Sequence, residues 1–209
     1  MAKLPAPPPR EVLVAIGADE RVVPAGTAFF RVYFRAARHP VAWNTFRFFG
    51  PTDARFDHHP RPQRVHPDRG IMYLARQPRT AIAEVFQRRR TVNAGRGAPW
   101  LVGFEVVREL RVLDLTGLWP TRAGASMNIT SGPHARSRPW ARAAYEAYPT
   151  IDGLWYGSSM DSNLPCAALF ERATDAVPPA PAFNRALADP TLRAFLERSA
   201  AQLNYRLIP

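Results

Sequence analysis

Residues 70–86 read Gly-Ile-Met-Tyr-Leu-Ala-Arg-Gln-Pro-Arg-Thr-Ala-Ile-Ala-Glu-Val-Phe, and the rest of the chain has to be arranged around them. The apolar run Gly70–Leu74 predicts a short strand. Pro78, suited to a first helical turn, opens a helix whose apolar positions 81, 82, 85 and 86 form one stripe. Glu84 falls among those apolar residues. A carboxylate there costs several kcal/mol unless it is partnered or lines a cavity. The polar loop upstream carries Arg55 and Asp57, so a guanidinium, the phenol of Tyr73 and a carboxylate share a strand-to-helix unit that can hold them rigidly.

Around this unit the pattern is mixed. Pro5, Pro7, Pro8 and Pro9 predict an extended, poorly ordered arm, with a short helix or turn over 11–16. Thr27–Phe34, dense in β-branched and aromatic residues, predicts a strand. Residues 39–49, with Trp43, Phe46, Phe48 and Phe49, read as a loop with aromatic anchors. Residues 58–68 read as a mobile loop, lengthened by the insert Arg61–Asp68, and whether that insert closes over the site stays open. Strands are expected over 100–107, 111–116, 153–157 and 166–171, and a turn-rich loop over 117–132. A second helix should be capped by Ser137, with Trp140, Ala144 and Tyr148 on one face, and an amphipathic helix should close the chain. Strands and helices without regular alternation indicate an α+β domain with a single mixed sheet. We divide it as a lead-in arm (1–26), a catalytic domain (27–172) and a helical extension packed on it (173–209).

A chain of 209 residues with 46% hydrophobic and 22% charged residues is long and apolar enough for one domain with a real core. No apolar run approaches 18 residues, and the first ten residues lack a signal-peptide core. The lone Cys166 lies in an apolar run and fits a reducing, cytoplasmic setting. The net charge of +11 comes almost wholly from arginine, Lys3 being the one lysine. Such a field attracts polyanions. Without a groove-reading motif, though, the scattered arginines disfavour nucleic acid.

Arginine grips phosphate bidentately, tyrosine stacks on flat rings, and a glutamate can hold ribose hydroxyls or offset oxocarbenium charge. Arg55, Tyr73 and Glu84 therefore form the first constellation to weigh, although spacing alone favours the plainer reading of a solvated arginine, a core tyrosine and a surface glutamate. His58, His59 and His66 lack metal-ligand spacing and read as exposed loop histidines, so no metal is expected. Ser158 and Ser159 do not meet the nucleophile-elbow pattern. Ser158 at a strand end reads as a substrate-binding serine. Asp114 and Asp152 read as turn or cap residues. Rossmann and P-loop glycine motifs are absent.

In order along residues 27–172, Phe30-Arg-Val-Tyr33, Arg55-Phe-Asp57, Gly70–Ala75, Thr80–Val85, Asp152–Ser158 and Ala168-Leu-Phe170 resemble the RES-domain family of Xre–RES toxin–antitoxin systems. The resemblance implies a fold related to ADP-ribosyltransferases and degradation of NAD, as substrate rather than cofactor, by hydrolysis or phosphorolysis of the nicotinamide–ribose bond. It implies Arg55, Glu84 and Ser158 as the naming residues, Tyr73 as a fourth, and Arg31 as a second pocket arginine. It also implies an Xre-type helix-turn-helix antitoxin as partner and inorganic phosphate as a candidate acceptor. A homodimer stays open. Ser159-Met160 and the insert Arg61–Asp68 depart from many relatives. Protein ADP-ribosylation and non-catalytic nucleic-acid binding stand as the alternative functions.

Overall fold

The computed structural model describes residues 4–36 and 40–209. Lys3 and His39, the start of the aromatic loop, lie outside them. The strands are β1 (Glu20–Val23), β2 (Ala28–Phe34), β3 (Phe49–Gly50), β4 (Arg64–Val65), β5 (Ile71–Ala75), β6 (Thr91–Asn93), β7 (Pro99–Glu105), β8 (Leu110–Asp114), β9 (Gly153–Gly157), β10 (Pro165–Phe170), β11 (Phe183–Ala186) and β12 (Arg206–Ile208). The helices are α1 (Arg10–Ile16), α2 (Pro78–Phe86), α3 (Trp119–Arg122), α4 (Asn128–Ser131), α5 (His134–Ala147) and α6 (Arg193–Leu203).

Eight strands form one open sheet in the order β1-β8-β9-β10-β5-β2-β7-β11. The β8–β9 pair is parallel and the other pairs are antiparallel. The architecture is thus α+β with one mixed sheet. Its central strands alternate with period two. Ile71 and Ala75 of β5, Leu154 and Tyr156 of β9, and Cys166, Ala168 and Phe170 of β10 face one core, covered by α2, α5 and α6 through Ile82, Trp140, Ala144 and Leu196. Met72, Leu74, Trp155, Ala167 and Leu169 face a second core, closed by Phe46 and the half-buried Trp43 and Phe48. The aromatic loop therefore does what its composition implies. At Gly153 a Cβ would meet the Ala168 carbonyl oxygen at 2.4 Å, so only glycine lets β9 and β10 approach this closely.

One break in the sheet matters most. β2 pairs with β7 over its full length but with β5 only at Phe30–Ala75. Beyond that bridge β2 and β5 part, and a cleft opens between them.

Several expectations from the sequence are corrected here. The proline arm is docked: Leu4 is buried and the Trp140 indole N–H donates to the Pro5 carbonyl at 2.8 Å. Burial of one leucine contributes about 1.5–3 kcal/mol, and prolines have little backbone freedom to lose. Ser137 is no cap, because α5 begins at His134 and the Ser137 hydroxyl donates to the Ile129 carbonyl at 2.8 Å. Residues 117–132 hold two short helices, α3 and α4, not a bare loop. The tail is more than helical, since β11 extends the main sheet and β12 pairs in parallel with β6. Asp152 is buried, accepting from Arg108 and from the Arg111 N–H.

The histidines depart furthest from expectation. His58, His59 and His66 are all buried. Asp57, also buried, accepts from Thr52 N and Oγ1, Arg47, and His59 Nδ1, and this network ties the loop down. Burial alone would raise its carboxyl, but those donors, His59 foremost, hold it far below the usual carboxylate range. His58 stacks on Tyr145 of α5 at 4.5 Å and packs on Phe170 at 4.7 Å.

Candidate active site

The cleft at the β2–β5 split has a volume of about 400 Å³, within the range of small-molecule sites, about 300–1,000 Å³. Because the strands part there, residues from both faces of β2 reach it, including Arg31 and Tyr33 from one face and Phe34 from the other. Arg55, Tyr73 and Glu84 line it together with Arg47, His134 and Tyr156. The first constellation of the sequence is therefore assembled in space.

Glu84 reaches the cleft because α2 starts two residues after β5 and lays Ala81 and Ile82 on the sheet, while Val85 is exposed at the rim. Burial pushes the Glu84 carboxyl above its ordinary value. The Ser158 hydroxyl bond, the electrostatic pull of Arg55 and His134, and Gln87 partly offset this. Ser158 donates to Glu84 Oε1 at 2.5 Å, and its own oxygen accepts the Met160 N–H at 3.1 Å. Ser158 is completely buried and does not line the cleft. In this structure its hydroxyl is committed to the carboxylate. The turn that carries it, with Ser162 and Asn163 at positive φ, also places Asp161 at the start of α2. There Asp161 accepts from Arg79 Nε and Nη2 and from Thr80 Oγ1.

Arg55 donates to the Gly132 carbonyl, which ties the loop before β5 to the segment before α5. Burial lowers its guanidinium from the usual value, and Glu84, Tyr156 and Tyr73 pull it back up. The Tyr73 hydroxyl accepts the Phe56 N–H at 3.1 Å, leaving its ring as cleft wall. Burial raises the phenol far above its ordinary range, so it stays neutral. Arg31 donates to the Trp43 and Thr45 carbonyls at 3.0 and 3.2 Å, while its Nε is buried without a partner. Burial lowers Arg31 to about 10.

Sequence reasoning did not single out Arg47, His134 or Tyr156. The only signal for Tyr156 was its place in the Asp152–Ser158 run. His134 comes from a segment read as lying beyond a loop. No group of three or more His, Cys, Asp or Glu among the described residues is placed to hold a metal ion. No described helix is long and apolar enough to cross a membrane.

A family model described as RES domain matches residues 29–193. The chain belongs to the RES domain family. This RES domain is also similar to a chain in the crystal structure of the M. tuberculosis MbcT–MbcA toxin–antitoxin complex. The two share 16% identity at a TM-score of 0.59, over 92% of this chain and 96% of that one. At that identity the likeness shows the fold alone, a single mixed-sheet domain. A search of curated proteins gave no significant match.

Proposed function

We propose that this RES domain cleaves the nicotinamide–ribose bond of NAD, as a glycohydrolase or phosphorylase, and serves as the toxin of a toxin–antitoxin pair. The observation that carries the reading is the convergence of Glu84 and Arg55 on the cleft where β2 leaves β5. In the reaction the C1′–N1 bond breaks. Its electron pair neutralises the nicotinamide ring, and positive charge develops on the ribose. Water or phosphate then adds at C1′ with loss of a proton.

The Glu84 carboxylate is poorly solvated in the free protein, as its raised protonation equilibrium records. It therefore gains more from a nearby cation than a carboxylate in water would, and the gain is largest when that cation is the oxocarbenium. Arg55, with Arg31 as a second cation lining the cleft, supplies charge and donors for the pyrophosphate. The Tyr73 ring is a flat wall for nicotinamide. NAD is thus the substrate, and positioning with charge stabilisation supplies the catalysis.

The toxin role is supported by the family and by the similar solved structure, itself part of a toxin–antitoxin complex. The partner on this reading is a helix-turn-helix antitoxin of the Xre type that covers the cleft.

The test is to incubate the pure protein with labelled NAD, with and without phosphate, and identify the products. Free nicotinamide with ADP-ribose or its 1-phosphate is expected, and Glu84→Gln should lose most turnover while remaining folded. Intact NAD with the wild type, or label carried on a protein band, overturns the reading.

A further inference from the structure

Resting on the NAD-cleaving reading, we infer that His134 is a further catalytic residue, the base that takes the proton from the oxygen nucleophile attacking the ribose. His134 opens α5 and lines the same cleft as Glu84 and Tyr156. Its Nδ1 lies 2.7 Å from the backbone carbonyl oxygen of Asp53. A carbonyl can only accept, so Nδ1 carries the hydrogen and the neutral ring keeps its lone pair on Nε2. Among the described residues no hydrogen bond engages Nε2. A backbone carbonyl thus fixes both the tautomer and the orientation of the ring, and the free nitrogen is left for substrate chemistry.

The rest of the cleft leaves this task open. Ser158 is committed to Glu84, and Glu84 must stay ionised beside the developing cation. Burial keeps the Tyr73 and Tyr156 phenols protonated. The arginines are already cations. Among the described residues lining the cleft, His134 alone presents a ring nitrogen whose lone pair is not engaged. The step balances: nicotinamide leaves with the bond pair, the nucleophile's oxygen bonds C1′, and its proton moves to Nε2 and then to solvent. The charged groups sharing the cleft with His134 are Glu84, which interacts with it electrostatically, and Arg31, Arg47 and Arg55.

The test compares His134→Gln and His134→Ala with wild type in NAD turnover. Glutamine keeps an N–H donor for Asp53 but has no base. It should lower kcat by about 100-fold or more with little change in KM, since general bases contribute roughly 10²–10⁴-fold. Added imidazole should restore part of the His134→Ala rate. A wild-type kcat in His134→Gln, or a loss in His134→Ala that imidazole leaves unchanged, overturns the inference. These results are read only against a wild type that consumes NAD. An inactive wild type sinks the parent reading instead, so the two failures are distinguishable.

Discussion

Ser158 and Glu84, 74 residues apart in sequence, are joined by a hydroxyl–carboxylate hydrogen bond of 2.5 Å at the edge of the cleft. Burial raises the Glu84 carboxyl, and this bond is the largest influence pulling it back down. Ser158→Ala removes a bond to a charged group, a class contributing about 1.5–3 kcal/mol. The acid limb of NAD turnover should therefore move to higher pH. Most of the lost activity should return on raising the pH. A loss equal at every pH would show that Ser158 does not act through Glu84. The check is kcat against pH for both proteins.

On the NAD-cleaving reading, Arg55, which lines the cleft, is the cation that meets the dinucleotide's phosphates. Arg55→Ala should raise the KM for NAD by about 10- to 100-fold with a smaller fall in kcat, because charge-assisted bidentate pairs are among the stronger polar contacts. Arg55→Lys should recover only part of it, since a lysine keeps the charge but not the fork. Steady-state kinetics decide the matter: an unchanged KM in Arg55→Ala removes the phosphate role.

His58 predicts how stability depends on acidity. Burial lowers its imidazole from 6.5 to about 4, despite the opposing pull of Glu171. Between those values the unfolded chain binds a proton that the folded chain refuses. The stability is therefore fully present above about 6.5 and is lost as pH falls towards 4. By pH 5 the loss should be roughly 2 kcal/mol, at about 1.4 kcal/mol per unit. His58→Phe keeps a ring against Tyr145 and Phe170 and cannot take up the proton. Its Tm should fall less than the wild type's between pH 7 and pH 5. The contribution of Glu84, whose raised carboxyl favours folding at lower pH, is common to both proteins and cancels. Equal Tm slopes would refute this account of His58.

The parts legible in the sequence were those fixed by local periodicity. The β5–α2 unit formed as its pattern required, and Glu84 found the cavity and the partner that its place in an apolar stripe demanded. Long-range packing hid the rest. His58, His59 and His66 look solvated in sequence because nothing near them announces the Tyr145 and Phe170 rings that cover His58. Similarly, β12 pairs with β6 from the far end of the chain, and three-residue strands carry too little alternation to be read locally. The split between β2 and β5 is a matter of register, invisible in either strand alone. His134 enters the site only because α5 starts where the Asp53 loop passes.

Asp161 connects the two elements that hold Glu84 and Ser158 together. Its buried carboxylate accepts from Arg79 at 2.8 and 3.1 Å and from the Thr80 hydroxyl at 2.7 Å, which fastens the turn after β9 to the first turn of α2. An anion there also complements the positive end of the helix. Asp161→Asn keeps the shape and removes the charge. Arg79 is partly exposed, so the cost should be about 2 kcal/mol, below the roughly 3–5 kcal/mol of breaking a fully buried pair. The turn carrying Ser158 should loosen as well. Turnover per folded molecule is expected to fall about tenfold at neutral pH with the KM for NAD unchanged, since Asp161 lies outside the cleft. Urea denaturation and kinetics on the same preparation separate the two effects. Lower stability with undiminished kcat would make Asp161 a fastening of the fold alone.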